Sequence, residues 1–252
     1  MKKTFFLLIS CLFLLSLVAC GSSSGGAEKK VKVGIDTTYP PFEFEDGGDY
    51  VGIDIELIKA IAEDQDFEIE FKPMDFKGII PALTAGQLDV AIAGMSITDA
   101  RKKEVDFSEP YFEAGLSLVV NKDNSEITGP EDLKGKMIAV KKGTTGADMA
   151  AELAEEHGTE VRLFDDSPAM FQEVSNGNAD VLIEDYPVIA YAISQNTNLK
   201  LKIVGDRLNG DFYGIAVEKG KNADLLKKIN EGLNNLRDNG KYDEIVNKYL
   251  GE

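Results

Sequence analysis

The chain has 252 residues, 44 acidic against 27 basic side chains, a net charge of −17 and two cysteines. That length allows one large domain or two modest ones, and so strong a negative charge repels nucleic acid and anionic headgroups, which excludes nucleic acid as a partner. From the N-terminus, Lys2 and Lys3 lead into an almost unbroken apolar run over 5–18 that stops at Ala19-Cys20. Such a run is short for a bilayer span and reads as a secretory signal peptide over 1–19. Its removal takes away Lys2 and Lys3 and leaves a mature charge of −19.

Cys11 goes with the leader, so Cys20 is the one cysteine of the mature chain. Residues 17–20, Leu-Val-Ala-Cys, resemble a bacterial lipobox, which implies acylation of Cys20 and a lipid anchor on the outer face of the cell membrane. An ordinary cleavage site beside an incidental cysteine is the alternative, but a lone thiol exported to an oxidising space is an odd leftover. Residues 20–30 then form a flexible Gly- and Ser-rich tether.

Beyond it, short β-branched runs alternate with helical patterns, which predicts α/β layers. Strands are expected at 31–35, 67–71 and 88–93, with an amphipathic helix at 53–62 and another at 79–85 beginning near Pro81. A strand at 137–141 and a helix at 146–156 follow. The alternation continues through 161–164, 169–174, 181–183, 187–193 and 201–204. A strand over 212–217 and two tail helices broken at Asn239-Gly240 complete the chain.

Two segments echo one another: GQLDVAI at 86–92 and GNADVLI at 177–183 each set a glycine stop, a turn aspartate and a buried strand in a row. One such unit per lobe predicts two similar α/β lobes. Residues 94–101 and 184–185, just past those strands, then fall at carboxyl strand ends, where open α/β sheets hold their ligands. Facing lobes make a cleft suited to a small molecule.

The residues near those ends suit a free amino acid. Burying its carboxylate and ammonium costs several kcal/mol unless both are paired. The run Gly94 to Arg101 offers a glycine for close backbone approach, Ser96 as a donor, and Thr98 to cap a turn presenting Arg101 as a carboxylate fork. Lys141 to Gly146 adds N–H groups at a helix head without the spacing of a phosphate loop, and Asp185 is the candidate partner for the ammonium. Taken singly, Tyr39 and Phe76 read as core aromatics, Arg101 as the head of a solvated basic run, and Asp185 as a helix N-cap.

The stretches DTTYPPFEF (36–44), PMDFKGIIPA (73–82), AGMSITDARKK (93–103), VDFS (105–108) and YGIA (213–216) resemble the polar amino-acid substrate-binding proteins of ABC importers. Within that family the chain is most similar to bacterial glutamine-binding proteins, over essentially all of 31–252. The resemblance implies a two-lobed periplasmic-binding-protein fold. Lobe one would span 31–110 and 214–252, lobe two 116–208, and the hinge 111–115 and 209–213. It implies that Asp36 and Lys141 hold the ligand side chain between Tyr39 and Phe76. Gly94, Ser96, Arg101 and Thr145 would hold the main-chain groups, and Asp185 the ammonium. A monomer delivering its cargo to a membrane permease is expected, without cofactor, metal or catalysis.

Asp36 only accepts hydrogen bonds and Lys141 only donates, a pairing that suits a terminal amide. One position departs from the glutamine binders: Glu184 stands where they have a histidine. Pointing inward, Glu184 would shift the pocket toward arginine, lysine or histidine. An enzyme on this scaffold, such as a dehydratase with Glu184 as general acid, is the remote alternative; no nucleophile beside a base and no metal-ligand cluster supports it.

Overall fold

The computed structural model describes residues 30–251. The predicted leader, Cys20 and nearly all of the tether lie outside the described residues. In chain order come β1 (Val31–Ile35), β2 (Thr38–Tyr39), β3 (Glu43–Asp46), β4 (Asp49–Val51), α1 (Ile53–Asp64), β5 (Ile69–Pro73), α2 (Phe76–Thr84), β6 (Val90–Ala91) and β7 (Val105–Phe107). The chain continues with β8 (Phe112–Glu113), β9 (Leu116–Asn121), β10 (Met137–Lys141), α3 (Thr145–His157), β11 (Glu160–Phe164) and α4 (Ser167–Ser175). It ends with β12 (Val181–Asp185), α5 (Tyr186–Gln195), β13 (Leu201–Val204), β14 (Phe212–Tyr213), β15 (Ala216–Glu218), α6 (Ala223–Asp238) and α7 (Lys241–Leu250).

Two five-stranded sheets flanked by helices make two α/β lobes. The first has the order β5-β1-β6-β15-β7 and the second β11-β10-β12-β9-β13. In each, three neighbouring strands run parallel, and an antiparallel strand joins them: β15 beside β6 in the first, β9 beside β12 in the second. The chain leaves the first sheet after β7 and returns at β15, and the two passages meet as the antiparallel pair β8–β14.

Helix α1 illustrates what holds the first lobe. Ile53, Ile55, Leu57, Ile58 and Ile61 are all fully buried, each worth about 1.5–3 kcal/mol on removal from water. The stripe packs on α6 and α7, so the C-terminal helices close the first lobe rather than extend the second.

Several elements differ from the sequence-based expectation. Helix α2 begins at Phe76 rather than near Pro81, which sits in its interior. Interior proline costs about 3 kcal/mol, and the buried stripe of Phe76, Ile79, Ala82 and Leu83 offsets it. The single strand expected over 212–217 is two strands in different sheets. Between them Gly214 packs so tightly that a Cβ would stand 2.8 Å from Ile97 and 2.9 Å from Phe107. Strand β12 does not stop at Ile183. Its antiparallel pairing with β9 runs on to Asp185 opposite Leu116, so Glu184 and Asp185 are its last two residues. Strand β9 itself, and the ribbon β2–β4, have no counterpart in the expectation. No helix among the described residues is long and apolar enough to cross a membrane.

Candidate ligand-binding site

Four strands end at one place between the lobes. β1 runs into Asp36 and its neighbour β6 into Gly94. On the other side β10 ends on Lys141 and β12 on Asp185. The cleft between them is lined by Tyr39, Phe76, Gly94, Ser96, Arg101, Lys141, Thr144, Thr145 and Asp185. All but Thr144 are among the residues singled out from the sequence. The cavity left between these side chains is about 10 Å³, roughly the space one water occupies, so the lobes are shut.

Charged groups meet across that seam. Lys141 Nζ lies 2.5 Å from Asp36 Oδ2, with 3% and 4% of the two side chains exposed. Asp36 Oδ1 accepts from the Thr38 N–H and hydroxyl at 3.0 and 2.7 Å. The Lys141 ammonium stands 4.7 Å from the Tyr39 ring centre and 5.8 Å from that of Phe76, within cation–π range of both faces. Lys142, one residue on, is half-buried and pairs with Asp165 at 3.0 Å, as strand alternation requires.

Arg101 sits in a short 3₁₀ turn whose Thr98 hydroxyl accepts from the Arg101 N–H at 3.2 Å, the capping expected from the sequence. Its guanidinium donates to Ser96 O at 2.8 Å and, across the seam, to Gly143 O at 3.0 Å, and lies 5.3 Å from the Phe76 ring centre. Burial pulls its pKa down, and the Asp148, Asp185 and Asp211 carboxylates oppose that. Arg101 is therefore not part of a solvated run; only Lys102 and Lys103 are exposed. Ser96 Oγ and Thr145 Oγ1 stand 3.5 Å apart. Thr145 opens α3, where backbone N–H groups lack intrahelical partners.

Gly94 takes φ +50°, and a Cβ there would come within 2.7 Å of the Tyr39 ring. Its N–H is given to Asp54 Oδ2 at 2.8 Å, so any contact with a ligand runs through its carbonyl.

At the far end Glu184 and Asp185, the last two residues of β12, both reach the Tyr39 hydroxyl. The Tyr39 hydroxyl lies 2.9 Å from Glu184 Oε1 and 2.5 Å from Asp185 Oδ2, and the Tyr213 hydroxyl donates to the same Asp185 oxygen at 2.5 Å. One phenol proton faces two carboxyl oxygens, an arrangement that favours a further proton held between Glu184 and Asp185. Burial, followed by the Glu184 charge, raises the Asp185 pKa to about 7. Burial raises Glu184 as well, against hydrogen bonds from Ser167 and the Asp185 N–H and the charge of Lys141. With Oε1 and Oε2 so occupied, Glu184 backs the wall and does not line the cleft. Asp185 Oδ1, by contrast, is buried without a partner among the described residues. Asp185 also precedes α5, but its side chain makes no capping bond.

Sequence reasoning passed over Thr144, Ser167 and the Tyr213 side chain. Asp166 caps α4 through the Ala169 N–H, and Asp165 ties Lys77 of α2 to the second lobe at 2.5 Å. No group of three His, Cys, Asp or Glu among the described residues is placed to hold a metal.

Comparison with known proteins gives one family. Residues 31–252 match the bacterial extracellular solute-binding proteins, family 3. The arginine-binding extracellular protein ArtP of Bacillus subtilis (strain 168) is 35% identical, over 99% of this chain and 98% of its own length. The ABC transporter glutamine-binding protein GlnH of the same organism is 37% identical, over 100% and 98%. Among solved structures, an ancestral arginine-binding protein bound to arginine superposes with a TM-score of 0.84 at 48% identity, covering 88% of this chain and 98% of that one.

Proposed function

Since this chain belongs to the bacterial extracellular solute-binding proteins, family 3, and with its relatives is an amino-acid-binding component of ABC transport, we propose that its cargo is L-glutamine, handed to a membrane permease. The observation that carries this reading is the ion pair of Lys141 and Asp36, 2.5 Å apart and almost wholly buried. A neutral amide has both an oxygen for the ammonium and an NH2 for the carboxylate, and inserts without leaving either charge uncompensated. A guanidinium would face Lys141, and a side-chain carboxylate would face Asp36.

The remaining groups fit the amino-acid backbone. Arg101, the Ser96 hydroxyl and the N–H groups opening α3 are donors for the carboxylate. Asp185 Oδ1 and the Gly94 carbonyl are acceptors for the ammonium. Tyr39 and Phe76 flank the aliphatic stem. A cavity of about 10 Å³ cannot admit such a ligand, so the lobes must part. The passages at 111–115 and 209–213 are the hinge in this reading, and ligand binding shifts the population toward the closed form that docks on the permease. A monomer, tethered to the outer face of the membrane by acylated Cys20, completes the proposal.

Arginine is the second reading. It is favoured by Glu184, a buried carboxyl close enough to Lys141 to feel its charge, and by the likeness to ArtP. A thermal-shift screen of the mature chain against the common amino acids, followed by calorimetry on the hits, separates the two, because a tight ligand raises the midpoint by mass action. Glutamine should give the largest shift. Arginine binding tenfold tighter than glutamine would overturn the cargo and leave the family role intact.

A further inference from the structure

Directly behind the cleft lies a carboxyl pair that recognition does not use. Glu43 opens β3 and Asp54 is the second residue of α1, and both are fully buried. The Asp54 N–H donates at 2.9 Å to the carbonyl of Phe42, the residue before Glu43, so the two carboxyls leave neighbouring backbone and act on one another electrostatically. The titratable groups near enough to act electrostatically with Glu43 are Asp54, Asp36, Lys141 and Tyr111.

Two neighbouring carboxylates in a dry core resist both being ionised, so one proton belongs to the pair, and the donors around it say where. Asp54 Oδ2 accepts from the Gly94 N–H and Oδ1 from the Tyr111 hydroxyl, both at 2.8 Å. Donors of that kind favour the ionised form. The two oxygens of Glu43 have no donor among the described residues.

We propose that Glu43 is a positioning residue that carries a proton and donates it to ionised Asp54, and that the pair fixes the cleft wall to the first passage between the lobes. Asp54 thereby accepts three donors on three segments: β3 through Glu43, the loop at Gly94, and Tyr111 beside β8. Gly94 holds its left-handed conformation against the Tyr39 ring, and Tyr111 enters the passage at the hinge. Neutral Glu43 also leaves the side-chain end of the cleft with the charges of Asp36 and Lys141 alone. Ionised, it would add a negative charge there and favour a cationic ligand. The inference rests on the family role, not on glutamine as cargo.

Burial and the Asp54 charge, which raise the Glu43 pKa well above the ordinary range, agree with this placement of the proton. The test uses the mature chain with Glu43→Gln, Glu43→Ala and Asp54→Asn, read by calorimetry with glutamine and arginine and by infrared spectroscopy of the ligand-free protein. The amide of Gln donates to Asp54 as the protonated acid does. Glu43→Ala should therefore weaken binding of whichever amino acid the wild type takes by about tenfold, one buried hydrogen bond's worth, and Glu43→Gln should restore it to within about threefold. The wild-type minus Glu43→Gln difference spectrum should show the carbonyl stretch of a buried carboxylic acid, the Glu184–Asp185 contribution being common to both proteins. An unchanged acid band in Glu43→Gln, or Glu43→Gln as weak as Glu43→Ala, overturns the proposal. Full binding by Asp54→Asn with loss in Glu43→Gln would put the proton on Asp54 and overturn it too. If Asp54→Asn fails to fold, the infrared band still decides. If neither amino acid binds the wild type, the cargo reading fails while the band still tests the proton.

Discussion

Replacing Lys141 by methionine keeps most of the length of the side chain and removes one of two opposite charges held 2.5 Å apart. At an effective dielectric of about 20, such a pair attracts by about 7 kcal/mol, against desolvation costs of similar size. Taking away one partner leaves Asp36 buried and uncompensated, which lowers stability by about 3–5 kcal/mol. A guanidinium reaching Asp36 in the wild type would stand near the Lys141 ammonium, and like charges about 4 Å apart repel by about 4 kcal/mol at the same dielectric. Relief of even a third of that, about 1.4 kcal/mol, changes the affinity ratio tenfold. The variant should therefore melt lower without ligand, bind glutamine more weakly, and gain at least tenfold in arginine over glutamine by calorimetry. An unchanged ratio, together with a melting point equal to the wild type's, would refute the claim that this pair decides the cargo.

Arg101→Ala should weaken binding of the cargo by at least about 2 kcal/mol, because a buried carboxylate loses its fork; calorimetry showing unchanged affinity would mean the carboxylate is held elsewhere. The Asp185 pKa of about 7 makes two signed predictions. An ammonium at Oδ1 favours the ionised form, so binding near neutral pH should release a proton, seen as a buffer-dependent binding heat, and affinity should fall as pH drops below about 7. Because that pKa is raised on folding, the folded chain holds the extra proton between the ordinary carboxylate value and about 7, and the stability of the ligand-free chain should fall as pH rises through that window. For Cys20→Ala, fractionation of cells should find the protein shed into the medium, where the wild type stays with the membrane; equal retention would argue against the lipid anchor.

The fold class was legible because the sequence repeats the unit of glycine, aspartate and buried strand, and two such units need two sheets. Boundaries went astray where tertiary contacts outvote local pattern. Pro81 marks a helix start by local rule, yet the α2 stripe from Phe76 to Leu83 carries the helix through it. Glu184 and Asp185 look like turn residues, yet pairing with β9 makes them strand. Residues that line the cleft were legible as motif positions. Those that act from behind it, Ser167, Tyr213, Glu43 and Asp54, were not, since a buried hydroxyl or carboxyl has no local signature. Its partner lies 17, 28 or 57 residues away, as for Ser167 on Glu184, Tyr213 on Asp185 and Tyr111 on Asp54.

The contacts across the seam explain how one site can both select a ligand and report its arrival. Lys141 with Asp36, Arg101 with Gly143 and Tyr39 with Asp185 each join one lobe to the other, and each uses a group that the proposed ligand would need. Parting the lobes strips these groups of their partners, and an amino acid can return a partner to every one of them. In the proposed complex the amide would answer Asp36 and Lys141, the carboxylate Arg101, and the ammonium Asp185. The exchange would be close to neutral for the first two, because across the seam the charge of Lys141 already pairs with Asp36 and Arg101 already donates to Gly143 O. It is not neutral for Asp185, whose Oδ1 is left without a donor even with the lobes shut. In the proposed complex, the free energy that makes the liganded closed form better than the empty one would therefore be concentrated at the α-amino group, the feature common to every amino acid, while the Lys141–Asp36 pair would decide among side chains.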